Sequence, residues 1–553
     1  MTCSRRFVFF FLFWLAGSLL FIKNSGGYGL SLPQNCFSWA MMGILIFTVS
    51  LSLLRKKQAW IITPALRWFA AGIVILALPL LYTRPEWLFN GGLYWAGAVV
   101  GLLFYFSCVQ LKLSRTGVYS LLSIWLLACM AHALLILLQL TPAGEWIAWP
   151  VVNGRPYGVF QQVNLLATFL ACGIGLALFL FLVPENLKNR RKQCFAAFAL
   201  FIFPCVLMLI QSRIGLLSAV ITIVMMLSLM GAVREKYQSV ILLLCGTAAG
   251  WWVRNHTLIG DISHSDSDGA RLEMIGTAWE MLKQRPWSGW GFGGFEYTFQ
   301  FFRVLQGKST EGTGVVIHPH NEFLFWGVEA GAVALGGLLL IIIGGIKVVI
   351  STWHCYHNEN NPLPLALCII ILPVLLHTQT EYPFGLSALH FAMCLLLLAQ
   401  ADKLSDDTSA ENILLSRPAG SALSIIMTVI SAVVILWMCS AFLLGLLLTD
   451  IERRGMQDIQ PLASVPEIAL VTQYERVEFD RSMNRLMRYN QTRDPKLLEY
   501  YRLWAEEYLD KHADKNVYFS LVMILHHQGN ITDKQKYLSR ARELFPQENK
   551  FVR

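Results

Sequence analysis

Apolar residues fall in blocks along this chain, separated by short polar breaks. The blocks cover 7–22, 36–54, 66–83, 90–111, 118–140, 163–183, 193–211, 214–232, 238–253, 323–346, 363–379, 384–400 and 421–449. A bilayer is crossed by about 20 apolar residues in a helix, so the pattern predicts about thirteen transmembrane helices. One polar interruption is far longer than the others. It runs through 254–322, holds Trp287-Ser288-Gly289-Trp290-Gly291-Phe292-Gly293-Gly294, and ends on His318-Pro319-His320-Asn321 at the mouth of the next apolar block. A loop of that size between membrane helices usually carries function. Beyond 450 the apolar residues return at helical spacing only, as in Tyr500, Trp504 and Tyr508 or Tyr518, Leu521 and Leu525. The text of 524–546 resembles one tetratricopeptide-type helix pair, too little for a stacked array, and predicts a small helical cap.

Composition agrees. The chain is 55% hydrophobic and 14% charged, against about a quarter charged in a soluble domain. The fold class is therefore an all-α polytopic membrane protein. A net charge of +9 raises nucleic acid as a partner, but the loops account for it and none is expected. Basic residues crowd alternate connections: Arg5 and Arg6, Arg55 to Lys57, Lys112 and Arg115, Lys188 to Lys192, Arg234 and Lys236, Lys347, Lys403 and Arg417. The other short connections hold only Lys23, Arg84, Arg155 and Arg213. The positive-inside rule then puts the N-terminus in the cytoplasm and, after an odd number of spans, region 450–553 outside. Residues 7–22 follow two arginines but lack a small-x-small cleavage site, and are read as an uncleaved first helix. The expected divisions are 1–253, helices one to nine with outer loops; 254–322, a large outer loop; 323–449, helices ten to thirteen; and 450–553, an outer helical domain. The 12 cysteines lie mostly in apolar blocks without a CxxC pair and read as small buried hydrophobes.

This topology brings five polar motifs to one face: Asn153-Gly154-Arg155-Pro156-Tyr157-Gly158, Gln162-x-Asn164, Gln211-Ser212-Arg213-Ile214-Gly215, His318-Pro319-His320-Asn321 and Glu381-Tyr382-Pro383. As metal ligands, His318 and His320 would need partners; Asp261, His264, Asp266 and Asp268 are nearest in sequence and form no convincing set. The alternatives are a cap on the helix opening near Asn321, or a general base, for which imidazole titrates in the right range. Arg213 sits on a hairpin with almost no loop. It either snorkels to headgroups or holds a phosphate bidentately, and Arg155 presents the same choice. The glycines of 289–294 lack the Lys-Ser/Thr of a phosphate-cradling loop and read as a flexible loop. Transport would need ionisable groups at the midplane, for which His132 and His377 are the candidates.

The ordered set of these motifs, together with Gln162-Val163-Asn164-Leu165-Leu166-Ala167-Thr168 and Arg271…Pro286-Trp287-Ser288-Gly289, resembles the bacterial protein O-oligosaccharyltransferases of the O-antigen ligase/polymerase superfamily. The resemblance covers most of the chain. In the ligase pattern His-Asn is followed after nine residues by Gly-x-x-Gly; here His320-Asn321 leads to Gly331, with Ala334 in place of the second glycine. What the resemblance implies is a glycosyltransferase-C type fold in the bacterial inner membrane with a periplasmic site. The donor would be a glycan on undecaprenyl diphosphate, and the acceptor a Ser or Thr hydroxyl of an exported, pilin-like protein. It further implies His320 and Arg213 as catalytic residues, Arg213, Arg155 and Arg271 on the donor diphosphate, and Gln162, Asn164, His318, Asn321, Glu381 and Tyr382 in positioning. No cofactor and no metal are expected, because arginines neutralise the diphosphate. The alternatives are an O-antigen ligase acting on lipid A-core, a lipid-linked glycan polymerase, or a transporter.

Overall fold

The computed structural model describes residues 3–142, 146, 151, 155–183, 189–256, 265–405 and 412–552, without the side chains of 265–267 and 552. Asn153, Gly154, Asp261 and His264, and the side chain of Asp266, lie outside the described residues. The chain is helical, and its only strands among the described residues are Ile61–Ile62 and Ile413–Leu414, paired antiparallel with Ile61 opposite Leu414. Each of the thirteen apolar blocks falls on a helix. In chain order these are α1 (Cys3–Gly17), α2 (Pro33–Lys56), α3 (Pro64–Ile75), α4 (Pro85–Val109), α5 (Arg115–Gln139), α6 (Val163–Leu182), α7 (Arg190–Ile210), α8 (Arg213–Leu229) and α9 (Val233–His256). After α10 (Ser265–Gln284) and α11 (Phe295–Leu305) come α12 (Glu322–Glu359), α13 (Leu363–His377), α14 (Ala388–Ser405) and α15 (Arg417–Arg453). Nine helices among the described residues are long and apolar enough to cross a membrane, and α8 and α13 are shorter apolar helices. Helices are what a bilayer demands, since each backbone N–H and C=O must be satisfied within the segment.

The chain forms two compact units. One comprises residues 1–69, 100–263 and 342–439, the other 70–99, 264–341 and 440–553.

In the first unit α6 is the axis. Its most apolar stretch is wholly buried, and it packs against α5, α7, α8 and α13. Helix ends are set locally. Ser114 caps α5 by accepting from Gly117 N, and Lys57 closes α2 in the left-handed conformation. Two of the connections that carry basic residues, those after α2 and α14, meet at one end of the bundle. There the short strand pair joins the segments after α2 and α14, and Asp402 accepts from Thr63 and Tyr105, each at 2.6 Å.

In the second unit α10 lays Met274, Ala278 and Met281 against Phe295, Phe299, Phe302, Phe325 and Val328. The C-terminal region holds four packed helices rather than one pair: α16 (Tyr474–Thr492), α17 (Pro495–Leu509), α18 (Lys515–His527) and α19 (Ile531–Leu544). Tyr501, Tyr518, Leu521, Leu525 and Leu544 fill their core, and Phe301 and Val304 of α11 pack onto it. The second hairpin lies in the segment read as tetratricopeptide-like, and the helical spacing of Tyr500, Trp504 and Tyr508 falls on α17; α16, strongly polar on average, carries no such signal.

Candidate functional site

The turn between α7 and α8 is built from Gln211 and Ser212. Gln211 ends α7 with φ 55°, and Ser212 caps α8 by accepting from Gly215 N at 3.2 Å. Arg213 is thus the first residue of α8, with an exposed side chain. Gly215 lets α8 close on α6, since a Cβ there would come within 2.4 Å of the Ala167 methyl.

Two groups hold this turn. Arg155 donates from Nε to Ile210 O (3.1 Å) and from Nη2 to Gln211 O (3.2 Å), satisfying carbonyls at the end of α7. On the other side the Ser212 hydroxyl donates to Asn164 Oδ1 at 2.6 Å, and Asn164 Nδ2 donates to Glu381 Oε1 at 2.8 Å. Glu381 Oε2 lies 3.0 Å from His377 Nε2, and His377 Nδ1 lies 3.3 Å from Thr168 Oγ1. Thr168 in turn donates to Asn164 O at 2.9 Å, which closes a ring of contacts. Glu381 is 1% exposed, and His377 and Thr168 are fully buried.

Gln162 precedes α6 in extended conformation without capping it, and its Oε1 is buried with no hydrogen-bond partner among the described residues. Tyr382 is half-buried beside the single helical turn Pro383–Leu386. Asn35 secures the turn that follows, donating to Leu386 O and accepting from Ala388 N. Sequence elements separated by more than 200 residues therefore meet at one end of the first unit.

In the second unit, His318 is buried, stacks on Phe325 with centroids 4.6 Å apart, and accepts from His320 N through Nδ1 at 3.0 Å. Its Nε2 lies 3.9 Å from Glu322. His320 is half-buried with φ 56°, a left-handed conformation that a side-chain-bearing residue adopts only where its surroundings impose it. The cap on α12 comes from Asn321, whose Oδ1 accepts from Leu324 N at 3.0 Å, and not from a histidine. Arg271 is half-buried on α10.

The Gly-rich stretch expected as a flexible loop is hydrogen-bonded to a break in α12. Trp290 N donates to Val328 O, Gly291 N to Glu329 O, and Ala332 N to Pro286 O. The Glu329 carboxylate accepts from Gly293 N and Phe295 N, each at 3.0 Å. The break is at Gly331, with φ 64° and ψ −152°, where a Cβ would fall 2.4 Å from Trp287 O.

Four of the five sequence motifs thus converge within the first unit, and the histidine motif belongs to the second. The reading of the sequence missed Thr168, Ser212 as a linking group, and Glu329, and it weighed His377 only for transport. The signal for two of them was there: Thr168 follows Asn164, and Glu381 follows His377, by four residues, one helical turn. Among the described residues no three His, Cys, Asp or Glu side chains gather in a way that could hold a metal ion.

Fold and site together define a multi-pass, all-α membrane protein with a built polar cluster at one end of its helices. Three family models match the chain: O-antigen ligase over residues 196–341, the C-terminal part of virulence factor membrane-bound polymerase over 365–553, and protein glycosylation ligase over 156–181. A comparison with curated proteins finds no match. Together these matches support the superfamily of O-antigen ligases and protein glycosylation ligases for this chain.

Proposed function

We propose that this glycan-transferring membrane enzyme moves a preassembled oligosaccharide from undecaprenyl diphosphate to Ser or Thr hydroxyls of an exported, pilin-like protein, at the periplasmic face of the inner membrane. The observation that carries the reading is Arg213. Arg213 is an exposed residue on the first turn of a capped helix, where the backbone N–H groups of the helix start and the helix dipole already favour an anion. A guanidinium in that setting suits a diphosphate, which it grips bidentately and whose growing charge it stabilises as the bond to the sugar breaks.

His320 accepts the proton of the acceptor hydroxyl as the hydroxyl oxygen attacks the anomeric carbon. The bond from that carbon to the phosphate oxygen breaks, and undecaprenyl diphosphate leaves. One displacement of this kind inverts the anomeric centre. Arg271 assists on the diphosphate. Arg155 assists there from a guanidinium that already fixes the turn carrying Arg213. Gln162 Oε1, a buried acceptor without a protein partner among the described residues, takes a substrate hydroxyl, since such a group costs about 1–3 kcal/mol unpaired. Tyr382 takes part in positioning substrate, and His318, which accepts from His320 N, and Asn321 position the base. A protein acceptor, rather than lipid A-core, is favoured by the four-helix C-terminal domain, which offers more surface than a sugar acceptor needs.

The test uses a bacterial host that makes an undecaprenyl-linked glycan but lacks its own ligase, supplied with a candidate pilin. Glycosylated pilin with the wild-type protein, and none with Arg213→Ala, supports the proposal. Glycan confined to lipid A-core moves the acceptor to lipopolysaccharide. Undiminished transfer by Arg213→Ala removes the role given to that guanidinium.

A further inference from the structure

His377 has no place in the proposed chemistry, yet it is buried and uses both ring nitrogens. Proton counting limits what it does. The Thr168 hydroxyl has one proton, and two backbone carbonyls stand nearer to it than the imidazole does: Asn164 O at 2.9 Å and Leu165 O at 3.1 Å, against 3.3 Å to His377 Nδ1. With that proton on a carbonyl, Nδ1 carries its own hydrogen and donates to Thr168 Oγ1. Nε2 and Glu381 Oε2, 3.0 Å apart, then share one proton, whichever atom holds it. Glu381 is thereby oriented with Oε1 toward Asn164 Nδ2. Asn164, its amide orientation fixed by that donation, turns Oδ1 toward the Ser212 hydroxyl. Ser212 is the cap of the helix that begins with Arg213.

We infer that His377 is a positioning residue for glycan transfer, acting through Glu381, Asn164 and Ser212 to fix the helix terminus that presents Arg213. This rests on the reading of Arg213 as the residue that holds the donor diphosphate. The ring of contacts aligns the first turn of a helix that also has other supports: Arg155 on the carbonyls of Ile210 and Gln211 just before it, and the close packing of Gly215 on Ala167. Loss of His377 therefore shifts Arg213 without removing the helix. The substrate side of the cluster is left to Arg213, Gln162 and Tyr382.

The experiment is a mutant cycle on purified full-length protein in nanodiscs, with lipid-linked oligosaccharide as donor, reading kcat and KM separately. His377→Leu lowers kcat roughly ten- to hundredfold, the scale of an ångström-sized misplacement. His377→Gln, which keeps a donor where Nε2 stood, recovers most of that loss. In an Arg213→Lys background, where the guanidinium fork is already gone, His377→Leu costs no more than about twofold further, because both changes act on one interaction. An equal loss in both backgrounds, or no loss in the wild-type background, overturns the inference. Wild-type kcat in Arg213→Lys alone strikes instead at the reading of Arg213. Thermal melts accompany each variant, and if His377→Leu does not fold, His377→Gln is judged by the same cycle, with a smaller loss confined to the wild-type background expected.

Discussion

Ser212 uses one hydroxyl twice, accepting from Gly215 N to cap α8 and donating to Asn164 Oδ1. Ser212→Ala therefore removes a cap, worth about 1 kcal/mol, and strips Asn164 Oδ1 of the Ser212 donor. Transfer is expected to fall by roughly an order of magnitude while Ser212→Thr stays near wild type, because threonine keeps both bonds; rate assays on the two variants check this. His320→Ala is expected to cost about 10²–10⁴ in rate, the usual worth of a general base. His318→Ala acts differently, by removing the ring that stacks on Phe325 and takes the His320 amide, and its effect shows in the melting temperature as well as in the rate. Much of this scale was legible beforehand. Asn164, Glu381, Arg155 and Arg213 stood out as polar residues at the ends of apolar blocks. What could not be read was who binds whom. Arg155 reads as a phosphate ligand, and nothing in the side-chain pattern shows that it also gives two donors to backbone carbonyls, since such a cap leaves no mark there.

At the level of elements, α12 depends on its break. Gly331 adopts φ 64°, and a side chain there would meet Trp287 O. Gly331→Ala is expected to lower the melting temperature by several degrees, from about 1–3 kcal/mol of backbone strain with the steric clash added. Ala334→Gly, which restores the ligase pattern, leaves the break intact and costs only about 1 kcal/mol of helix propensity. Differential scanning fluorimetry of both separates these outcomes. The apolar block predicted a continuous helix over 323–346, because a helix break is invisible in hydropathy when another segment takes up the freed backbone groups. Here 286–295 does so by backbone hydrogen bonds and through Glu329, which contact pattern or composition does not encode.

On the scale of the whole molecule, bilayer physics made the thirteen apolar blocks readable as helices, since no other element spans singly. The C-terminal helices were harder, because a soluble hairpin is specified by a few core residues such as Tyr501 and Leu521. That domain also carries a pH dependence. Burial works against charge on His512, but its 3.0 Å bond to Glu296 and the charges of Glu296 and Glu475 outweigh this and raise it above the usual 6.5. The stability it contributes is full below about pH 6.5 and is lost as pH rises through the higher folded value. Asp480 adds to the same trend. Burial, with the Glu452 charge adding and Arg476 opposing, pushes it up to about 7, so the folded state binds more protons than the unfolded one between roughly pH 4 and 7. Stability is expected to fall as pH climbs through that window, and Asp480→Asn to flatten that part of the curve; pH-resolved melts of the two proteins decide it.

The most direct measurement is transfer in proteoliposomes holding only the purified protein, an undecaprenyl-diphosphate-linked oligosaccharide and a pilin. Mass spectrometry follows the glycan on protein, alongside the released undecaprenyl diphosphate. Glycan on a Ser or Thr side chain, with one lipid diphosphate freed for each glycan transferred and both signals lost in Arg213→Ala, is the expected result. Lipid diphosphate released without glycosylated protein, or glycan appearing only on a lipid or sugar acceptor when one is supplied, contradicts transfer to a protein hydroxyl.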